Sequence, residues 1–161
     1  MSGPSARLAE LGFTLPSVPT PLAAYVPAVR AGAVVYTSGQ LPLVDGALPH
    51  VGKVGAEVSP EQAADCARFA ALNALAAVAA ELGDLDQVAR VLRVVVYVAS
   101  APDFTAQAQV GNGASEFLGE VFGEAGRHAR SAVGVAVLPL DAPVEVELMV
   151  EVMARPSVQL V

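Results

Sequence analysis

Residues 128–136 read His-Ala-Arg-Ser-Ala-Val-Gly-Val-Ala, and the interpretation of the whole chain depends on this stretch. Its small and β-branched residues predict a strand over residues 130–138, with Arg130 at the head of that strand. Arginine is rarely buried without a partner, and its planar fork matches a carboxylate or a phosphate. The spacing alone leaves two interpretations open: Arg130 holds a ligand, or it pairs with a nearby glutamate and neutralises it.

The segments around this strand predict an α+β fold. The predicted elements are a short helix at 4–12, two strands within 25–40, a helix at 59–82, a strand at 88–99, a helix at 110–122, and strands at 130–138 and 143–153. We expect the first two and the last two strands to form hairpins, and both long helices to pack on one face of a single mixed sheet. Subunit association would then cover the opposite face.

Helix boundaries rest on local signals. Ser59-Pro60-Glu61-Gln62 predicts a helix start, because serine caps, proline suits the first helical position, and glutamine completes a capping box. Gly83 is a helix stop. In the second helix, Gly111 and Gly113 are expected to interrupt the early turns.

Composition favours a single oligomeric domain. The 161 residues are 54% hydrophobic and only 16% charged, so part of the apolar surface is expected between subunits. The net charge of −7, with Lys53 as the sole lysine, disfavours general nucleic-acid binding. The lone Cys66 suits a reducing compartment. We expect a cytoplasmic protein without a signal peptide or a membrane span.

The domain is predicted to occupy residues 1–161, with residues 1–21 as an N-terminal extension. Pro16, Pro19 and Pro21 are expected to keep the end of this extension in an extended conformation.

Three polar features stand out as candidate chemistry. Arg130 shares strand parity with small residues that leave room beside its guanidinium. Glu145 and Glu147 lie on the polar face of an alternating strand, which the predicted hairpin places within reach of Arg130. Residues 37–40, Thr-Ser-Gly-Gln, end a strand with hydroxyl groups and free backbone amides. No zinc spacing, phosphate loop or nucleophile elbow is present, so neither a metal nor a cofactor is predicted.

Several pieces of the chain resemble the RidA/YjgF family. They are Tyr25-Val-Pro-Ala-Val29, Val35-Tyr-Thr-Ser-Gly-Gln-Leu-Pro42, Gly83-Asp-Leu-Asp-Gln-Val88, His128-Ala-Arg-Ser131, Leu138-Pro139 and Val144-Glu-Val-Glu147. The resemblance covers about residues 22–153 in the family order. Members have also been labelled endoribonuclease L-PSP or translation inhibitor.

The resemblance implies a chorismate-mutase-like α+β fold and a homotrimer with sites in the clefts between subunits. It implies hydrolysis of reactive enamines and imines, such as 2-aminoacrylate, to a 2-keto acid and ammonia, without a cofactor. By motif match, Arg130 grips the substrate carboxylate and Glu145 is the acid near the attacking water. The other implied substrate-binding residues are Tyr25, Ser38, Gly39 and Asn112.

The chain departs from the family pattern in three places. The cysteine often found two residues after the family arginine is replaced by Ala132. The region 107–113 is longer and richer in glycine than is usual in the family, and the N-terminal residues are an addition to the family pattern. These departures indicate a divergent, longer subgroup. Two other functions therefore stay open: a non-catalytic trimer that binds small carboxylates, and the endoribonuclease of the family label, which the acidic charge disfavours.

Overall fold

The computed structural model describes residues 2–18 and 24–154. The predictions for Pro19 and Pro21 lie outside these residues. The helices and strands, in chain order, are α1 (Pro4–Glu10), β1 (Ala28–Ala31), β2 (Val34–Thr37), α2 (Pro60–Leu82), β3 (Val88–Ala99), α3 (Gln107–Phe122), β4 (Ala129–Val135) and β5 (Val144–Val152).

The five strands form one mixed sheet in the order β1-β2-β5-β3-β4. Strands β3 and β4 run parallel, and the other neighbours run antiparallel. Helices α2 and α3 contribute their buried residues to one core with the sheet, so the predicted mixed sheet with helices on one face is confirmed.

The predicted hairpin between the last two strands is wrong, because β3 lies between β4 and β5. Helix α3 connects β3 to β4, and a strand–helix–strand unit of this kind places its strands parallel. The chain then turns at Pro139–Asp141, where Leu140 and Asp141 have positive φ, and enters the sheet on the other side of β3. The first hairpin, between β1 and β2, is confirmed.

Helix α2 follows its sequence signals closely. The Ser59 hydroxyl accepts from the Gln62 amide at 3.1 Å, and the Gln62 side chain accepts from the Ser59 amide at 3.0 Å. Gly83 ends the helix with φ of 85°. Among the described residues, α2 is the one helix long and apolar enough to cross a membrane by composition, yet most of it is buried inside the fold. Its apolar length therefore belongs to the core of this domain.

Helix α3 begins three residues earlier than predicted and runs through Gly111 and Gly113 without a break. Both glycines are buried at close approaches of the backbone. A Cβ at Gly113 would overlap the Ala64 carbonyl oxygen of α2. The cost of glycine in a helix is thus offset by packing that no side chain would allow. The helix has no side-chain N-cap at Ala106.

Helix α1 joins the same core as the rest of the chain. Leu8 is buried, and the ring of Phe13 meets Phe117 of α3 edge-on, with 5.1 Å between centroids. Gly3 occupies the N-cap position and Pro4 begins the helix, so Ser5 lies inside it and does not act as the cap. The division of the chain into a domain and an extension of residues 1–21 stays a prediction.

The sheet has one covered face and one open face. Strand β5 alternates as predicted, with Val144, Val146 and Leu148 buried under the helices and Glu145 and Glu147 on the opposite side. This opposite side is called the open face below. Exposed apolar side chains on it include Val29 (51%), Tyr36 (41%) and Val133 (44%).

The two closely spaced helices give a matched test of packing. Gly113→Ala should lower the free energy of unfolding by about 1–3 kcal/mol, because α2 and α3 must separate to admit the methyl group. Gly119→Ala, on the same helix with open space at its Cβ position, should raise it by up to about 1 kcal/mol. Urea denaturation at fixed protein concentration measures both changes. Equal effects of the two substitutions would contradict the close contact at Gly113.

Candidate active site

Arg130 lies on β4 beside Val94 of β3 and points towards the helices. Its Nη1 donates to Asn112 Oδ1 at 2.9 Å and to Ser115 Oγ at 3.1 Å. Its Nη2 donates to the Ala108 carbonyl at 3.1 Å. All three acceptors belong to α3 and all are neutral. The resemblance to the family placed Asn112 in the pocket with Arg130, and the structure brings these two residues into direct contact.

The guanidinium keeps its positive charge without a carboxylate partner. In residues 2–18 and 24–154, the ion pairs are Arg7–Glu10, Lys53–Asp141 and Arg127–Glu124, and Arg130 belongs to none of them. Arginine has five N–H donors, and α3 takes three of them. The donors left over are Nε–H and one hydrogen of Nη2, two nitrogens that lie along one edge of the group. The internal pair with a glutamate, one of the two interpretations open from the sequence, is therefore not formed in the described chain.

Ser115 and His128 continue the hydrogen bonds of Arg130. The Ser115 hydroxyl lies 2.9 Å from His128 Nε2, and His128 Nδ1 lies 2.6 Å from the Gly126 carbonyl oxygen. Because a carbonyl only accepts, Nδ1 carries the proton in neutral histidine, and Nε2 then accepts from the serine hydroxyl. Ser115 was not identified from the sequence, and His128 was identified only as part of the motif at residues 128–131. A serine at helical spacing from a pocket asparagine was the available signal.

A cavity of about 340 Å³ opens beside these groups. Its walls are Ser115, Gly119, Gly126, Arg127, His128 and Arg130. The ionisable side chains among them are two arginines and a histidine, with no acid. An anionic ligand therefore suits this cavity.

Close packing between β4 and α3 explains the residue that replaces the family cysteine. A Cβ at Gly111 would lie 3.3 Å from the Ala132 methyl group and 3.2 Å from Arg130 Nη1. A larger side chain at position 132 would push α3 away from the sheet. Ala132 and Gly111 thus let the helix approach closely enough to hold the guanidinium.

Glu145 does not lie near Arg130, which corrects the prediction that the two share one side of a hairpin. Glu145 pairs with Tyr97 on the open face, whereas Arg130 pairs with Val94 on the helix-covered face. The reason is topological: β3 separates β4 from β5, and the two side chains have opposite parity in the sheet.

Glu145 has its own surroundings on the open face. A Cβ at Gly39 would overlap the Glu145 carboxylate, so the carboxylate can occupy this position only because residue 39 is a glycine. Burial, and next the charge of Glu147, raise the pKa of Glu145 above its ordinary value. Tyr97 donates to Glu147 at 3.2 Å, and burial together with this acidic neighbour raises the pKa of the phenol.

Tyr25 precedes β1 and Ser38 directly follows β2, at the open end of the β1–β2 hairpin. The Ser38 hydroxyl donates to the Val26 carbonyl at 2.6 Å, and its amide donates to the Pro27 carbonyl at 2.8 Å. These bonds fix the segment that carries Tyr25, whose side chain is exposed. The predicted site residues therefore form two groups in one chain. Arg130 and Asn112 meet at α3, whereas Gly39 and Glu145 meet on the open face. Ser38 precedes Gly39 in the chain, and its hydroxyl bonds Val26, the residue after Tyr25.

Other polar groups have structural explanations. Cys66 is buried in α2, and burial raises the pKa of its thiol to about 11, which fits a structural thiol. A second cavity, of about 540 Å³, has Lys53, Ser100 and Gln107 in its wall, and the lysine pairs with Asp141. Across the described ranges, no three His, Cys, Asp or Glu side chains are grouped to hold a metal. The predicted absence of a cofactor remains a prediction.

A family model described as "YjgF/chorismate mutase-like, putative endoribonuclease" matches residues 5–152. The chain belongs to this YjgF/RidA family. It is 45% identical over 148 residues to Protein TCP17 of Trypanosoma cruzi, which covers 91% of this chain and 92% of that protein. The family relationship and the chorismate-mutase-like fold expected from the sequence motifs are thus confirmed.

Solved structures repeat the fold. A "putative endoribonuclease" from Shewanella oneidensis superposes with a TM-score of 0.90 at 32% identity, over 94% of this chain and all of that one. TdcF of E. coli, solved with bound serine, superposes with a TM-score of 0.58 at 27% identity, over 85% of this chain and 94% of that one. The chain therefore shares more of its detailed geometry with the Shewanella protein than with TdcF.

The raised pKa of Glu145 gives a testable dependence of stability on pH. The folded state binds this proton more tightly than the unfolded state, so the resulting stability is complete below the ordinary pKa of 4.5 and is lost as pH rises through the higher folded-state pKa. Glu145→Gln mimics the protonated acid at every pH. We expect the variant to be more stable than the wild type at pH 7 and the difference to shrink towards pH 4, measured by urea denaturation.

Glu116→Gln, an exposed position on α3, is the matched control for this measurement and should show no comparable change with pH. A Glu145→Gln variant less stable than the wild type at pH 7 would contradict the burial argument.

Proposed function

We propose that this protein hydrolyses small enamines or imines that carry a carboxylate, such as 2-aminoacrylate, to a 2-keto acid and ammonia. The observation that carries the proposal is the state of Arg130. Its guanidinium is half-buried, held by three neutral acceptors, and without an acidic partner in the described chain. A fixed, uncompensated fork of this kind is prepared for a carboxylate.

The ligand class is supported by charge and by one relative. The chain has a net charge of −7, yet the ionisable side chains of this cavity are two arginines and one histidine. This local difference in charge favours an anionic ligand over a neutral one. TdcF, a family member, is solved with bound serine, a small molecule with a carboxylate. Arg130 would bind the same group through its free edge.

The chemistry asks little of the protein. An imine carbon is already electrophilic, so catalysis requires a held substrate, a placed water molecule and proton transfer. The reaction forms a C–O bond from water, breaks the C–N bond of the tetrahedral intermediate, and releases ammonia. Glu145 is a suitable acid near the attacking water because its raised pKa keeps more of it protonated.

Arg130 and Glu145 lie on opposite faces of one sheet, so a complete site needs a second copy of the chain. The open face, with Val29, Tyr36 and Val133 exposed beside Glu145, is the surface proposed to meet that copy. A homotrimer in which the open face of one subunit covers the Arg130 cavity of the next would unite the two groups. Ser38, Gly39 and Tyr25 would then line the site together with Glu145.

Binding without turnover is the second candidate, and one observation favours it. Within residues 2–18 and 24–154, no carboxylate lines the Arg130 cavity. If assembly does not supply Glu145, the cavity binds a small acid and releases it unchanged. The endoribonuclease of the family description receives no comparable support, because the described residues that line the cavity include two arginines, Arg127 and Arg130, and no lysine.

The proposed reaction is tested with freshly generated 2-aminoacrylate, by following pyruvate release. The wild type should accelerate release over buffer. Arg130→Lys keeps the charge but loses the fork, and should lower kcat/KM about 10- to 150-fold, since a charge-assisted hydrogen bond contributes about 1.5–3 kcal/mol. Arg30→Lys, an exposed arginine on β1, is the control. If the protein binds pyruvate saturably but does not accelerate pyruvate release from 2-aminoacrylate, the proposed enzyme is wrong and the second candidate, a non-catalytic binding protein, is supported.

The proposed assembly is tested by light scattering coupled to size exclusion. The wild type should have three times the mass of one chain, and Tyr36→Asp on the open face should lower that mass and the deaminase rate together. Ala80→Asp, exposed on α2 on the helical side, should leave the mass unchanged. An active wild-type monomer would overturn the shared site.

A further inference from the structure

We infer that Ser115 and His128 form a proton relay that takes part in catalysis at the Arg130 site. This inference rests on the proposed deaminase function and adds to it a proton-transfer pair from the same chain as the arginine. The two side chains line the same cavity as Arg130, so a substrate held there touches all three.

The geometry of the pair is that of a base and its hydroxyl. His128 Nδ1 donates to the Gly126 carbonyl at 2.6 Å, which fixes the ring and leaves the Nε2 lone pair for Ser115 Oγ at 2.9 Å. Helix α3 fixes the serine, and the turn before β4 fixes the histidine. The serine is thus held by α3 and the histidine by its hydrogen bond to Gly126, so neither needs to reorganise to exchange a proton.

Arg130 makes the serine a better participant. Its Nη1 donates to Ser115 Oγ at 3.1 Å, so the oxygen lies between a cation and the base. Negative charge that develops on Oγ as its proton moves to His128 is stabilised by the adjacent guanidinium. The same arginine that binds the substrate carboxylate therefore lowers the free energy of the proton transfer.

The proton count closes over one turnover. As water adds to the imine carbon, Ser115 Oγ takes a proton from the water while its own proton passes to His128 Nε2. The C–O bond forms and the electron pair of the C=N bond moves to nitrogen. That proton returns from His128 through Ser115 to the nitrogen, which gives a neutral carbinolamine. In the second half, the relay takes the hydroxyl proton of the carbinolamine by the same route and delivers it to the amine nitrogen as the C–N bond breaks, so the carbonyl forms and ammonia leaves. The pair ends in its starting state, and no other reactant is needed.

The relay and Glu145 act at different places. The relay belongs to the chain that holds Arg130, whereas Glu145 lies on the open face and reaches the site only through assembly. An enamine needs one proton at its terminal carbon before it becomes an imine, and the imine then needs proton transfer at water and nitrogen. Two proton-transfer groups on opposite sides of the substrate suit these two steps.

His128→Gln is the decisive variant, because glutamine can hold the serine hydroxyl but cannot take up its proton. We expect kcat for pyruvate release from 2-aminoacrylate to fall about 100-fold or more, with KM changed less than about threefold, since Arg130 still binds the carboxylate. His50→Gln, at the other histidine of the chain, is the matched control and should keep the wild-type kcat. Thermal unfolding of each variant confirms that it is folded.

Ser115→Ala supplies an independent arm, and it carries the test alone if His128→Gln fails to fold. Because the two residues act as one relay, the double variant should be no slower than the slower single variant. Wild-type kcat in either single variant, a loss confined to KM, or losses that multiply in the double variant would each overturn the relay, provided that Arg130→Lys still shows its lowered kcat/KM. A wild type that does not exceed buffer would instead overturn the proposed function itself.

Discussion

The approach of α3 to both α2 and β4 is the constraint on which the rest of this structure depends. Gly113 lets the helix touch the backbone of α2, and Gly111 lets it reach Ala132 and Arg130 on β4. With side chains at these positions the helix would stand away from the sheet, and Asn112, Ser115 and the Ala108 carbonyl could not hold the guanidinium. The glycines lower the helical propensity of this segment, but the packing and polar contacts that they permit offset that cost.

The strand order has an equally direct effect on the chemistry. Since β3 separates β4 from β5, the arginine and the candidate acid sit on different faces of a sheet one layer thick. This topology places the guanidinium of Arg130 on one side of the sheet and the carboxyl group of Glu145 on the other. Under the proposed function, a second copy of the chain must bring the two groups together, so activity would then depend on oligomerisation.

Much of the fold was predictable from local signals, and the errors have physical causes. The capping box at Ser59, the stop at Gly83 and the alternation of residues 144–152 are set by neighbours in sequence, and each agrees with the structure. The early turns of α3 could not be predicted, because the glycines there are explained only by contacts with α2 and β4.

The site divides in the same way. Arg130 and Asn112 were identified by their motifs, and their contact is present. The pairing of β4 with β3 depends on where the helix between them crosses the sheet, which local signals do not determine. The predicted location of Glu145, within reach of Arg130, was therefore wrong. Ser115 belongs to no motif quoted above, and its helical spacing from Asn112 was the one sequence signal for it; its distances to His128 and Arg130 come from the structure.

Arg130 has a structural role in addition to its proposed role in binding a carboxylate. Helix α3 starts without a side-chain cap, and the guanidinium on the neighbouring strand bonds the Ala108 carbonyl and two side chains in its early turns. The arginine therefore fastens a helix to a sheet whether or not a substrate ever arrives. Natural selection for a foldable chain would retain it even in a copy that had lost all activity. The contacts of this arginine with α3 are thus enough to explain its presence in the chain, whereas the hydrogen bond between Ser115 and His128 joins no helix to a strand of the sheet.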